Sequence, residues 1–270
     1  METDAVLNIL SLGAGVQSTA MALMAAHGEI EPMPDAAIFA DTGWEPQAVY
    51  EHLKFLMSPN VLPFPVYVVS KGNIRDDLTG RAPGKRKRFA AIPFFTEGGG
   101  LGRRQCTSEY KISPIRKKCR EMLGLKPRQR APKHVAVISW IGISTDEVTR
   151  MKPSREVWCE NIWPLIDARM NRWDCRQWLH RHDYPDPPKS SCVGCPFHSN
   201  EHWRAMRDIV PTDWADAVKV DGLIRVNGSL GDMGERQFMH RSLVPLGEAD
   251  LGDNLNQYAF DMECEGLCGV

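Results

Sequence analysis

The sequence predicts an α/β fold: a parallel sheet with helices on both faces, followed by a mostly helical C-terminal segment. Three observations predict it. Short apolar runs recur along the chain, and helical spacing follows them. The first run ends in a glycine-rich loop that opens a helix. The 270 residues are 43% hydrophobic and 25% charged, which is ordinary for a globular chain long enough to bury a sizeable core.

Taken in order, Val6-Leu-Asn-Ile-Leu10 predicts the first strand, and it stops at Ser11-Leu-Gly-Ala-Gly-Val-Gln-Ser18. Val16, Ala20 and Leu23 then repeat with helical spacing. Ala36-Ala-Ile-Phe-Ala40 predicts a second buried strand, ending at Asp41-Thr-Gly43. Pro46 suits the first turn of the next helix. Val66-Tyr-Val-Val69 and Val135-Ala-Val-Ile-Ser-Trp-Ile141 predict the third and fourth strands. Between them, Gly98-Gly-Gly100 and Gly102 predict a loop, and residues 112–123 a helix. Beyond Pro164, Trp173, Trp178, Trp203 and Trp214 sit in helical patterns, and no independent sheet is expected there. Strands alternating with helices argue for a parallel sheet. The expected division is an α/β domain at 1–165, with a basic insertion at about 71–133, and a helical region at 166–270.

The net charge of −1 hides an uneven distribution. Residues 71–133 hold 18 Lys and Arg against 5 Asp and Glu. The densest stretch carries Arg81, Lys85, Arg86, Lys87 and Arg88, followed by Arg103 and Arg104. A field of one sign suits a polyanion such as nucleic acid; a solvated basic loop is the plainer reading. No apolar run is long enough for a membrane helix, and residues 1–10 do not read as a signal peptide. A cytoplasmic protein with no membrane partner is therefore expected. Its eight cysteines then read as reduced thiols serving metal or redox chemistry.

The glycine loop presents backbone N–H groups and a helix dipole to an anion. Gly13 and Gly15 allow close approach, and Ser11 and Ser18 offer hydroxyls. The loop lacks the Gly-Lys-Ser/Thr ending of the lysine phosphate loop and the third glycine of the dinucleotide fingerprint. Taken alone it also reads as a tight turn.

Five segments, in order, resemble a known family. Ser11-Leu-Gly-Ala-Gly-Val-Gln-Ser18 resembles the pyrophosphate (PP) loop of the adenine nucleotide alpha-hydrolase superfamily. Phe39-Ala-Asp41-Thr42-Gly43 is similar to the segment ending strand two in its phosphoadenosine phosphosulfate reductase branch. Cys106-Thr-Ser-Glu-Tyr-Lys111-Ile-Ser-Pro114-Ile is similar to that branch's Cys-Cys-x-x-Arg-Lys-x-x-Pro-Leu motif. Gly142-Ile-Ser-Thr-Asp-Glu147-Val-Thr-Arg150 and Trp163-Pro-Leu-Ile-Asp167 resemble two further segments. The resemblance implies a Rossmann-like sheet binding ATP with Mg²⁺. It implies nucleotide contacts at Ser11, Gly13, Ala14, Gly15, Gln17, Ser18, Asp41, Thr42, Gly43 and Gly142. Three departures stand out. Gln17 replaces an Asp, Ser144 replaces an Arg that sulfonucleotide reductases carry, and Thr107 replaces the second paired cysteine.

Cys192-Val-Gly-Cys195-Pro196 has the spacing that lets two thiolates share one metal or cluster from a tight turn. The resemblance implies a [4Fe–4S] cluster on Cys106, Cys192 and Cys195, with its fourth corner lost to Thr107. Zinc on Cys192 and Cys195 with His198 is the alternative metal reading, and a redox C-x-x-C is the third. Cys264 and Cys268 lie in a tail loosely similar to the branch's nucleophile-bearing terminus, so they join Lys111 as catalytic candidates. Cys119, Cys159 and Cys175 read as small core residues.

The leading expectation is an ATP-dependent sulfurtransferase. It adenylates a carbonyl oxygen, on a nucleobase of tRNA or DNA, and replaces it with sulfur. A sulfonucleotide reductase and a non-catalytic nucleic-acid-binding protein with a structural metal are the alternatives. A sulfur-donor protein and a homodimer are the further partners considered.

Overall fold

The computed structural model describes residues 6–80, 92–227 and 235–252. Five strands form one parallel sheet in the order β3-β2-β1-β5-β6. They are β1 (Leu7–Leu12), β2 (Ala36–Asp41), β3 (Val66–Ser70), β5 (Val137–Ile141) and β6 (Cys159–Ile162). Two short strands, β4 (Phe95–Thr96) and β7 (Gln237–Phe238), pair antiparallel elsewhere. In β2, Ala36 to Ala40 are all buried, as expected for a parallel strand covered on both faces.

One face of the sheet packs against α1 (Val16–Ala26), α2 (Gln47–Leu56), α5 (Pro164–Asp167) and α6 (Arg172–Arg181). Leu10, Phe39 and Trp140 meet Leu23, Leu53 and Trp178 there. The opposite face carries Ile9, Ile38 and Val137 against Ile115 and Cys119 of α4 (Ser113–Met122). A second core joins α3 (Ile74–Thr79), α7 (Asn200–Ile209) and α8 (Pro211–Asn227) around Trp203 and Ile74. Trp44, in the loop that leaves the carboxyl end of β2, belongs to it.

Several expectations needed correction. Ser11 and Leu12 belong to β1, because the ladder runs on to pair Ser11 with both Ile38 and Ile141. The edge strand β6 escaped notice because Cys-Glu-Asn-Ile shows no apolar run. The 98–100 glycines make a tight turn, with the Thr96 N–H donating to the Gly100 carbonyl and Gly99 at φ +80°. This turn leads back from β4, whose partner β7 gives the C-terminal region a strand that was not foreseen.

Candidate functional site

The strand order reverses direction between β1 and β5, and open α/β sheets bind ligands in that crevice. The loop after β1 enters it. Ala14 sits at φ +57°, a conformation usually left to glycine, and Gly15 caps α1 without a side-chain hydrogen bond. The first-turn N–H groups of α1 therefore face no acidic or capping side chain. The Ser18 hydroxyl accepts from the Gly13 N–H at 3.2 Å and donates to the Gly15 carbonyl at 3.4 Å. The Ser11 hydroxyl is buried and finds no partner. All of residues 11–18 are buried, and the Ser190 hydroxyl donates to the Gly13 carbonyl from above.

Gln17 spans the crevice. Its amide donates to Ser144 Oγ at 3.3 Å and to Glu147 Oε2 at 3.1 Å, while its own Oε1 is buried without a partner. Gly142 is buried at the end of β5. Ser144 in turn donates to Asp146, which also accepts from the Arg172 N–H.

The end of β2 is equally ordered. Asp41 Oδ1 accepts from the Gly43 N–H at 2.7 Å and from the Tyr50 hydroxyl at 2.8 Å. Burial and this carboxylate together push the Tyr50 phenol well up. Gly43 stands at φ +74°, and a Cβ there would lie 2.9 Å from Asn73 Cα, so only glycine fits. The Thr42 hydroxyl lies 3.0 Å from Glu45 Oε1, to which it donates, and 3.2 Å from Cys192 Sγ.

Cys106, Cys192 and Cys195 line one pocket, together with Thr42, Lys111 and a wall of Ile74 and Phe197. The chain brings them there by two local devices. The first is the turn of residues 190–195. Its Ser190 reaches Gly13, its Cys192 reaches Thr42, and its Val193 N–H donates to the Trp44 carbonyl at 2.9 Å. The His198 ring donates through Nε2 to the Cys192 carbonyl at 3.0 Å, and its Nδ1 lies 3.5 Å from Ser191 Oγ. Burial holds its pKa well down, and with one ring nitrogen on the Cys192 carbonyl and the other beside Ser191 Oγ, His198 braces the turn.

The second device is a π-helix, Thr107–Ile112, with Cys106 at its N-cap. An α-helix would set residues five apart roughly 140° from each other. Winding with i→i+5 hydrogen bonds brings Cys106 and Lys111 onto one side.

The pocket is electrostatically unusual. Glu45 is buried and holds Lys111 Nζ at 3.5 Å, with both side chains nearly solvent-free. Cys192 donates toward the same Glu45 oxygen at 3.6 Å. Burial, then the Glu45 charge, push the Cys192 thiol well up, while Lys111 and the Thr42 hydrogen bond pull it down. The other Glu45 oxygen, Oε2, is buried without a partner.

Three thiols around one pocket are the donor type that an iron–sulfur cluster takes. Among the described residues, no three His, Cys, Asp or Glu side chains are arranged to hold a single metal ion. The void between the thiols is narrow, about 30 Å³.

The remaining candidates are placed as follows. Lys111, read from sequence as a catalytic candidate, is buried beside Glu45. Arg103 is exposed, and Arg104 stands over the Phe197 ring at 5.5 Å. Arg81, Lys85, Arg86, Lys87, Arg88, Cys264 and Cys268 lie outside the described residues. Sequence reasoning missed Glu45, Tyr50 and Ser190. Glu45 carried a signal, as a carboxylate just past the end of a parallel strand. Ser190 carried none. No described helix is long and apolar enough to cross a membrane.

No protein-family model matches the chain, and no curated protein sequence matches it. Among solved structures it is similar to a phosphoadenylyl-sulfate reductase from Candida auris in complex with phosphate. The TM-score is 0.42 and the identity 10%, over 68% of this chain and 75% of that one. The α/β architecture itself is given by the parallel five-stranded order and its two helical layers.

Proposed function

We propose that this chain is a PP-loop-type enzyme that activates a carbonyl oxygen with ATP and exchanges it for sulfur. The observation that carries the reading is the meeting of Cys106, Cys192 and Cys195 beside the glycine loop. A single turn hydrogen-bonds to both the loop and the end of β2.

The first-turn N–H groups of α1 receive the polyphosphate. The acceptor's carbonyl oxygen attacks the α-phosphorus, the bond to the β,γ-pyrophosphate breaks, and pyrophosphate leaves. A sulfide nucleophile then adds to the activated carbon, and AMP departs with the original oxygen. Cys106, Cys192 and Cys195 would be the residues to hold a [4Fe–4S] cluster, since all three line one pocket. When bound, the cluster supplies an iron without a protein ligand, at which exogenous sulfide can be held. Lys111 keeps a positive charge beside the thiols, and Glu45 fixes its position. The acceptor is a nucleobase in a nucleic acid, which the basic stretch at 81–133 holds by its phosphates.

Anaerobic purification tests the metal. The expected product is brown, with about four irons per chain and iron lost in Cys192→Ala. A colourless protein with zinc or no metal overturns the cluster. Pyrophosphate release that needs both ATP and a nucleic acid, with a thiolated nucleoside by mass spectrometry, tests the reaction. Sulfite release from a sulfonucleotide without nucleic acid would select a reductase instead.

A further inference from the structure

The sheet has an uncovered corner. Parallel strands are normally covered by their crossover helices. The β5-to-β6 crossover instead holds only a short 3₁₀ segment, Thr145–Arg150, and an extended loop. On the α4 side, α4 packs on β2 and β3 and meets β5 at Val137, and the sheet opens beside Ser139 and Asn161. The result is a cleft of about 470 Å³, within the size range of small-ligand sites.

Its lining is not that of a packing defect. Ser139 of β5 and Asn161 of β6 are partners across the ladder and form a polar floor where a sheet face is ordinarily apolar. Four cations surround the floor: Arg104, Arg116 of α4, and Lys152 and Arg155 of the crossover loop. Arg116 pairs with Glu156 at 3.1 Å. Arg104 also lines the cysteine pocket, so the two hollows share a wall.

We propose that this cleft binds the phosphate-bearing nucleotide unit of the acceptor substrate. Arginine and lysine hold the phosphate ester, while the hydroxyl and amide of the floor meet a sugar or base edge. A ligand seated here can extend past Arg104 toward the cysteines. The proposal takes the identity of the acceptor from the function proposed above, but the site itself is separate from the glycine loop.

Lys152 and Arg155 are exposed, so Lys152→Ala/Arg155→Ala tests the site without disturbing the core. Fluorescence anisotropy with a labelled single-stranded oligonucleotide, with AMP as competitor, is the measurement. The double variant should bind the oligonucleotide at least tenfold more weakly, with a salt slope smaller by about two. Displacement by AMP at matched nucleotide concentration identifies a free nucleotide as the source of the phosphate. Binding of the strand alone identifies a nucleic acid, and either result supports the site. Unchanged affinity and slope in the double variant, or no binding of either probe by the unaltered chain, overturns it. ATP binding, measured in parallel, should survive in the double variant and vanish in Gly15→Asp. Loss of oligonucleotide binding in the double variant, in a chain that never binds ATP, would sustain the cleft and defeat the glycine-loop reading.

Discussion

The indole of Trp44 occupies the space that a side chain on Gly194 would need: a Cβ there would lie 2.0 Å from the Trp44 ring. The glycine between Cys192 and Cys195 is therefore set by a tryptophan after β2, 150 positions earlier. Asp216 fixes that indole in turn, accepting from Trp44 Nε1 at 2.9 Å and from Arg75.

Gly194→Ala should accordingly force Trp44 or the cysteine turn to move, at a cost of about 1–3 kcal/mol. Urea denaturation should show a lower midpoint with an unchanged slope. Pairing it with Trp44→Leu should recover part of the loss. Full stability in Gly194→Ala alone would contradict the packing described.

Glu45 and Lys111 form a buried pair, so each single change should cost more than the double change. Lys111→Met leaves a buried carboxylate, and Glu45→Gln leaves a buried ammonium, each costing about 3–5 kcal/mol. Glu45→Gln/Lys111→Met should be milder than the sum. Additive losses in a double-mutant cycle would show that the two residues act separately.

His52 predicts a pH dependence. Buried against Thr19 Oγ1 at 3.1 Å, it has its pKa lowered from 6.5 to about 4 by burial. The unfolded chain thus binds more protons than the folded one between these values. The stabilisation is complete above pH 6.5 and is lost as pH falls toward 4, by up to about 3 kcal/mol. His198 and His240, lowered by the same cause, add loss of the same sign. His52→Gln should flatten the stability profile between pH 6.5 and 4, and an unaltered profile would contradict a neutral buried imidazole.

Gly15→Asp probes the glycine loop. Gly15 sits at φ −97°, which any residue adopts, so the substitution adds charge without backbone strain. Isothermal titration should show ATP binding lost in a chain whose circular dichroism still reports the native fold. Retained affinity would reduce the loop to a turn.

The sequence exposed those parts of the molecule that follow from local chemistry. Four of the five sheet strands, the helix after the glycine loop and the Asp41-Thr-Gly43 turn all follow from periodicity and turn residues. β6 did not, because an edge strand with no fully buried residue shows no apolar run. The convergence of Cys106 with Cys192 and Cys195 was an expectation of the resemblance alone, since 86 positions separate the first two. How it is achieved stayed hidden. The Ser190 bond to Gly13 and the Trp44 contact with Gly194 are tertiary relationships, and the π winding, though local, reads in the sequence only as helix. Spacing along the chain encodes none of them.

Arg104 forms the partition between the thiol pocket and the basic cleft. With an anion in either compartment, a guanidinium drawn toward it would be withdrawn from the other side, and the two occupancies would be thermodynamically linked. Such linkage is reciprocal: whatever factor the first guest imposes on the affinity of the second, the second imposes on the first.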